Sequence, residues 1–210
     1  MKTYYKLRNN KRIGTFIHIP RSAGKTFRDN LGEYFIRKDE KHATALYVRE
    51  NYPTEEELPM ISCVRNPWQR IWSLFNYTRM ISQTMHGPYD TIHMLEWDEW
   101  LKTPIVNNER RNHYRDVVDR NHLSSATYLF DRSGELIVDH ILRFENLEED
   151  VNRICDSYKI TDVRIDMSNK FSEEFGSTSD GWKEHYTDEQ RQYVEEICSW
   201  EIKEFGYKFE

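Results

Sequence analysis

Cysteine, glycine and proline are all scarce in these 210 residues, at 3, 8 and 6 copies. Cys63, Cys155 and Cys198 are odd in number, far apart and free of any CxxC pair, which argues against a disulfide framework and a zinc site. Three lone thiols suit a reducing compartment, and each is expected to pack as a small hydrophobe. So little glycine and proline excludes collagen-like and low-complexity chains. No apolar run approaches the ~18 residues of a membrane span. The polar, basic stretch 1–14 has no apolar h-region, so neither a signal peptide nor an anchor is expected, and the reading is a cytoplasmic protein.

Aromatic residues are plentiful instead, with 13 Tyr, 10 Phe and 6 Trp, which excludes disorder as the overall state. The length fits a single domain over 1–210 that buries roughly 70% of its unfolded surface. Net charge is −6, which argues against a general nucleic-acid binder. Its distribution is uneven. Residues 1–90 carry 15 Lys and Arg against 9 Asp and Glu, while residues 91–210 carry 15 against 27. A basic half in an acidic chain points to a local anion site, although solvated faces alone could give the same imbalance.

The run from Gly14 to Ile19 is short and rich in β-formers, and Pro20 ends it. A loop over Arg21-Ser22-Ala23-Gly24-Lys25-Thr26 follows. Phe27, Leu31, Tyr34 and Phe35 then recur at helical spacing, which predicts an amphipathic helix. Met60 to Val64 reads as a second buried strand. Asn66 is placed to cap the next helix, with Pro67 first and Trp68, Ile71, Trp72 and Phe75 on one face. Short helices are expected near 43–51 and 97–101, and another strand over 136–142. Asn146 is expected to cap a helix with the stripe Leu147, Val151, Ile154, Cys155 and Tyr158. A final helix opens on the capping box Thr187–Gln190 and stops at Gly206. The alternation predicts an α/β, P-loop-like three-layer fold with a central, mostly parallel sheet flanked by helices.

Two segments carry chemistry. Backbone N–H groups in the turn from Pro20 to Thr26 would converge on an anion, with the helix dipole behind them. Gly24-Lys25-Thr26 resembles the end of a Walker A loop, but Ile19 stands where that pattern needs Gly. The second segment is Arg65-Asn66-Pro67-Trp68-Gln69-Arg70-Ile71-Trp72-Ser73. Arg65 lies at a strand end, the edge where α/β folds bind ligands, and a guanidinium with the Ser73 hydroxyl would suit a phosphate monoester. Arg65 paired with a carboxylate and Ser73 as a packing residue is the alternative.

The pair "FIHIPRSAGKTF" and "SCVRNPWQRIWSLFNY" resembles the two nucleotide-binding signatures of the PAPS-dependent sulfotransferases. The match is to the carbohydrate-type family that includes heparan 2-O-sulfotransferases and short bacterial and phage-like members. It continues in "KHATALYVRE", "LIVDHILRFENLEEDVNRIC" and "HYTDEQRQYVEEICSWEIKEFGYKF", and thins between about residues 80 and 125.

The resemblance implies a sulfuryl transfer from PAPS, with PAP as product, to a hydroxyl-bearing acceptor, a glycan. Residues Arg21, Ser22, Ala23, Gly24, Lys25, Thr26 and Phe27 would form the 5′-phosphosulfate loop, and Arg65 with Ser73 would hold the 3′-phosphate. The family has Lys where this chain has Arg21, and Lys25 could supply an ammonium there. Arg keeps the charge in a planar fork rather than a compact point. His42 matches a histidine that similar sequences carry between the signatures and is the candidate general base. An unperturbed imidazole titrates near ~6.5, so it is largely a free base at neutral pH. Glu33 and Glu40 are weaker candidates, and His18 is expected to pack or to orient the loop. His86, His93, His113 and His122 fall in or beside the poorly matching stretch. Trp182 and Lys183 resemble the "GxWK" element that closes over the nucleotide, with packing as the competing role. Trp97 and Trp100 could stack on sugars, but a helix burying its tryptophans fits better.

No metal is implied. The competing readings are a P-loop kinase, which would need magnesium-dependent ATP binding, and an inactive binding module, which would bind nucleotide without turnover. Oligomeric state is not legible.

Overall fold

A computed structural model describes residues 13–32, 34–36, 42–52, 58–84, 95–102, 123–161 and 181–210. Two compact units divide the chain, Met1–Arg65 with Ser125–Asn169, and Asn66–Ser124 with Lys170–Glu210.

The first unit holds the sheet. Strands β1 (Gly14–Ile17), β2 (Phe35–Ile36), β3 (Met60–Val64) and β4 (His140–Arg143) lie in the order β2-β1-β3-β4, all parallel. Every residue of β1 and β3 is buried, as expected of a parallel sheet covered on both faces. Phe16, Ile61, Cys63 and Leu142 alternate onto one face and meet helices α1 (Gly24–Leu31) and, later in the chain, Leu147–Ser157. From those helices Phe27, Leu31, Val151, Ile154 and Cys155 complete the core. Phe27 stacks on Phe16 with centroids 3.9 Å apart. On the opposite face the Ser62 hydroxyl donates to the Ile17 carbonyl at 2.8 Å and so satisfies itself inside the sheet. Helix α2 (Ala45–Asn51) is capped by Thr44, whose side chain accepts from the Tyr47 N–H.

The second unit is helical. Helix α3 (Pro67–Thr84) starts as expected, with Asn66 Oδ1 accepting from the Gln69 N–H at 3.3 Å. Helix α4 (Trp97–Lys102) follows, and the short α5 (Ala126–Leu129) returns the chain to the first unit. Counting on, Leu147–Ser157 is α6, Asp188–Ile197 is α7 and Ser199–Phe205 is α8. Trp68 is buried beneath α7, its Nε1 donating to the Arg191 carbonyl at 3.1 Å. The Thr187–Gln190 capping box forms with both reciprocal bonds, and Gly206 ends α8 in the left-handed region at φ 65°.

Several expectations change. Tyr34 and Phe35 do not extend the first helix. That helix stops at Leu31, the Gly32 N–H closes it on the Arg28 carbonyl, and Phe35 begins β2 opposite Gly14. Phe35 still reaches the same core, 5.2 Å from Phe27, which is why helical spacing imitated it. The strand expected over 136–142 is His140–Arg143, while Leu136 makes an isolated antiparallel bridge with Phe130. Asn146 sits at the N-cap of α6 without a side-chain cap bond, because a 3-10 turn over Phe144–Asn146 leads in. The Asp150 carboxylate instead accepts from the Arg143 N–H at 2.8 Å. The last helix breaks at Cys198, whose backbone leaves the helical region (φ −107°, ψ 23°) and whose thiol lies 3.5 Å from the Leu123 carbonyl. All three cysteines are free and buried. No helix among the described residues is long and apolar enough to cross a membrane.

Candidate active site

The turn between β1 and α1 has an unusual backbone. Arg21 and Ala23 both adopt positive φ, at 64° and 56°, although neither is glycine. Ser22 lies between them, fully buried, its N–H donating to the Ile19 carbonyl at 3.2 Å. Such an alternation turns successive peptide N–H groups toward one side and makes an anion-binding concavity. The first N–H groups of α1 have no intrahelical acceptor and add to it. No acidic residue occupies the first turn of α1, and Ala23 offers no side-chain cap, so the helix start is open to an anion. The Ser22 hydroxyl is buried without a hydrogen-bond partner among the described residues. A phosphate or sulfate oxygen fits that donor set.

Other loop residues take distinct places. The Thr26 side chain is nearly buried and its carbonyl accepts from Asn30 Nδ2 at 2.8 Å. Phe27 contributes its ring to the core, and its N–H already donates to the Ala23 carbonyl at 2.9 Å. Lys25 is half-exposed on α1, where it pairs with Asp29 at 3.5 Å. A Cβ at Gly24 would overlap the His18 ring, so glycine lets that ring pack against the start of α1.

Arg65 belongs to the same unit and is only 5% exposed. Its Nη1 donates to the Arg21 carbonyl at 3.3 Å, and its guanidinium lies 4.3 Å from the centroid of the Phe144 ring. It therefore braces the loop from behind. Close by in sequence, burial pushes the Cys63 thiol well above the ordinary cysteine range, with Glu145 and Asp150 adding to the rise and Arg65 opposing it. That thiol is an inert core group.

His42 joins this unit from the segment before α2. Its Nδ1 lies 3.2 Å from the His18 carbonyl oxygen. A carbonyl can only accept, so Nδ1 carries the hydrogen in this contact, and in the neutral ring Nε2 is then the nitrogen without one. The two imidazoles are tilted by 35° with centroids 4.7 Å apart. Sequence reasoning singled out His42 but not this pairing across 24 residues. Glu33, Glu40, His86, His93, His113 and His122 lie outside the described residues.

Ser73, Trp182 and Lys183 belong to the second unit. Ser73 is buried on α3, two turns from its start. Three residues earlier, Arg70 is wholly buried and donates through Nη2 to the Leu123 carbonyl, so it is committed to the interior of this unit. Trp182 is 5% exposed and packs edge-on against Phe209 and Tyr186. Lys183 is exposed, with Nζ 5.8 Å from the Trp182 ring. The left-handed Gly181 (φ 83°) caps a 3-10 turn over Trp182–His185. Trp100 is buried and Trp97 half-buried, its Nε1 donating to Gln190 Oε1 at 3.0 Å. The helix buries Trp100 and half-buries Trp97. His185, which the sequence did not single out, stacks on Trp72 at 4.2 Å.

A parallel α/β sheet carries at its centre a strand–loop–helix unit with left-handed Arg21 and Ala23 and an α1 start that holds no acidic residue. The chain belongs to the Sulfotransferase family, whose model matches residues 15–208. Sulfuryl transfer is the general reaction that this membership carries. Neither a curated protein nor a solved structure gives a match.

Proposed function

We propose that this protein transfers a sulfuryl group from PAPS to a hydroxyl of a carbohydrate acceptor, as one sulfotransferase domain. The observation that carries the reading is the turn with left-handed Arg21 and Ala23, opening α1 and braced by buried Arg65. The family match runs through both units, which supports a single functional domain. Three free buried thiols support a cytoplasmic setting.

PAPS, when bound, supplies the sulfuryl group and a phosphate-bearing leaving group. The chain's own residues do the rest. Amides of Ala23 to Thr26, with the Ser22 and Thr26 hydroxyls, would hold the 5′ end. Phe27 anchors that loop to the core. Arg65 and Ser73 are the candidates for the 3′-phosphate, and Lys183 with Trp182 for the nucleotide. Arg21 sets a permanent positive charge where negative charge develops, and Lys25 is the second cation on the loop. Such fixed donors act by electrostatic stabilisation, each worth about 2.7–4 kcal/mol of barrier. His42, held by the His18 carbonyl, would accept the acceptor hydroxyl's proton at Nε2. In-line group transfer to an oxygen needs little more than this positioning and charge, as phosphoryl transfer illustrates.

The test is the melting temperature of the purified protein with PAP, AMP, ATP or magnesium-ATP. A ligand at about 100 times its Kd adds about 2.7 kcal/mol, which moves the midpoint by several degrees. A shift with PAP and not with the others is expected. A shift with magnesium-ATP only would overturn the proposal in favour of a kinase. No shift with any nucleotide would overturn it in favour of a protein that kept the family's fold without its donor site.

A further inference from the structure

The His18 ring touches both the loop and the candidate base. It follows β1 directly and is half-buried. One side faces Phe16, with centroids 6.1 Å apart and planes 24° from parallel. Its Nε2, Cε1 and Cδ2 atoms fill the space where a side chain at Gly24 would begin, so the ring rests on the first residue of α1. The His42 ring lies 4.7 Å away, and the backbone carbonyl of His18 is the acceptor for His42 Nδ1. One residue thus touches the anion loop with its side chain and the candidate base with both its ring and its main chain.

We infer that His18 is a positioning residue, a spacer whose imidazole wedges between Gly24 and His42 and thereby fixes the tautomer of His42 and its distance from the loop. The wedge works through bulk. With the ring against Gly24, the peptide of His18 cannot swing away from His42, and its oxygen stays aimed at Nδ1. Misplacing a reacting group by about 1 Å can cost a factor of about 100 in rate, so a fixed spacer between proton acceptor and anion loop has a clear use. This assignment rests on the proposed sulfotransferase reading for its purpose, but not for its geometry.

The experiment uses the whole chain labelled with 15N at histidine, with His42→Gln identifying the His42 signals. Two-bond proton–nitrogen spectra at neutral pH report which ring nitrogen carries the hydrogen. The wild type is expected to show His42 dominantly as the Nδ1–H tautomer, and absence of that dominance overturns the inference without any variant. His18→Ala removes the wedge and should turn His42 into a mixture of tautomers. His18→Phe keeps the bulk and should keep the Nδ1–H tautomer. An unchanged His42 in His18→Ala, or loss of its tautomer in His18→Phe, overturns the proposal. Absence of PAP binding in the wild type would defeat the sulfotransferase reading and leave the tautomer result standing, so the two failures are distinguishable.

Discussion

Removing the Arg65 guanidinium should destabilise the protein and weaken its hold on PAP together. Arg65 donates a charged hydrogen bond to the Arg21 carbonyl at 3.3 Å and stacks 4.3 Å from the Phe144 ring centroid. A hydrogen bond from a charged donor contributes about 1.5–3 kcal/mol. A cation over an aromatic face adds about 0.5–2 kcal/mol, toward the upper end when desolvated. The side chain is 5% exposed, so the upper halves of both ranges apply. The two overlap in one side chain and do not simply add, which places Arg65→Ala at about 2–4 kcal/mol. For a chain of this size each kcal/mol lowers the melting temperature by about 2–4 °C. Arg65→Lys keeps a charge but loses the planar fork that reaches a carbonyl while stacking, so it should fall between wild type and alanine. Scanning calorimetry with and without PAP reads both effects. If Arg65→Ala melts within about a degree of wild type, the bracing role is wrong. If it also responds fully to PAP, the role in holding the 3′-phosphate is wrong as well.

Two further outcomes follow from named contacts. Lys25 pairs with Asp29 on an exposed helix surface at 3.5 Å, an arrangement worth about 0.3–0.5 kcal/mol. Lys25→Ala should therefore leave the melting temperature almost unchanged. A large loss of sulfuryl transfer in that variant would assign Lys25 to the chemistry, and full activity would remove it. Asp98 accepts from Gln190 at 2.9 Å and from Lys102 at 3.1 Å, and these bonds hold its carboxyl below the ordinary aspartate range. Because the folded pKa is the lower one, the contribution is complete above the unfolded value of about 3.9 and disappears as pH falls through the folded value. Melting curves of wild type and Asp98→Asn should differ at pH 7 and converge toward pH 2, and a constant gap across that range would show that ionisation is not involved.

The sequence was most readable where local rules and tertiary structure agree. The run Gly14–Ile17, the proline, the loop and α1 announced themselves through β-rich composition, a breaker and a helical stripe. Thr187 and Gln190 marked a helix start because capping is a contact over three residues. Phe35 misled because a two-residue strand is too short to carry a period and its ring enters the core that the helix faces. Cys198 gave no sign of breaking a helix, since the Leu123 carbonyl beside it comes from far away in the chain. For the site the division was similar. The loop, Arg65 and His42 were visible as residue types in order. The His18 carbonyl that selects the tautomer of His42, and the ring of Phe144 under Arg65, are long-range contacts that no spacing encodes.

The left-handed residues of the loop have a consequence for binding entropy. Glycine would adopt those angles freely, whereas a residue with a Cβ loses about 1–2 kcal/mol in doing so. With Arg21 and Ala23 at φ 64° and 56°, that penalty falls on the folding equilibrium, once, and the surrounding core holds the turn in shape. A glycine loop would be easier to fold but freer to wander before an anion arrives, and each binding event would then have to order it. Here the amides stand ready in advance, so a bound oxyanion surrenders less of its attraction to freezing the backbone around it.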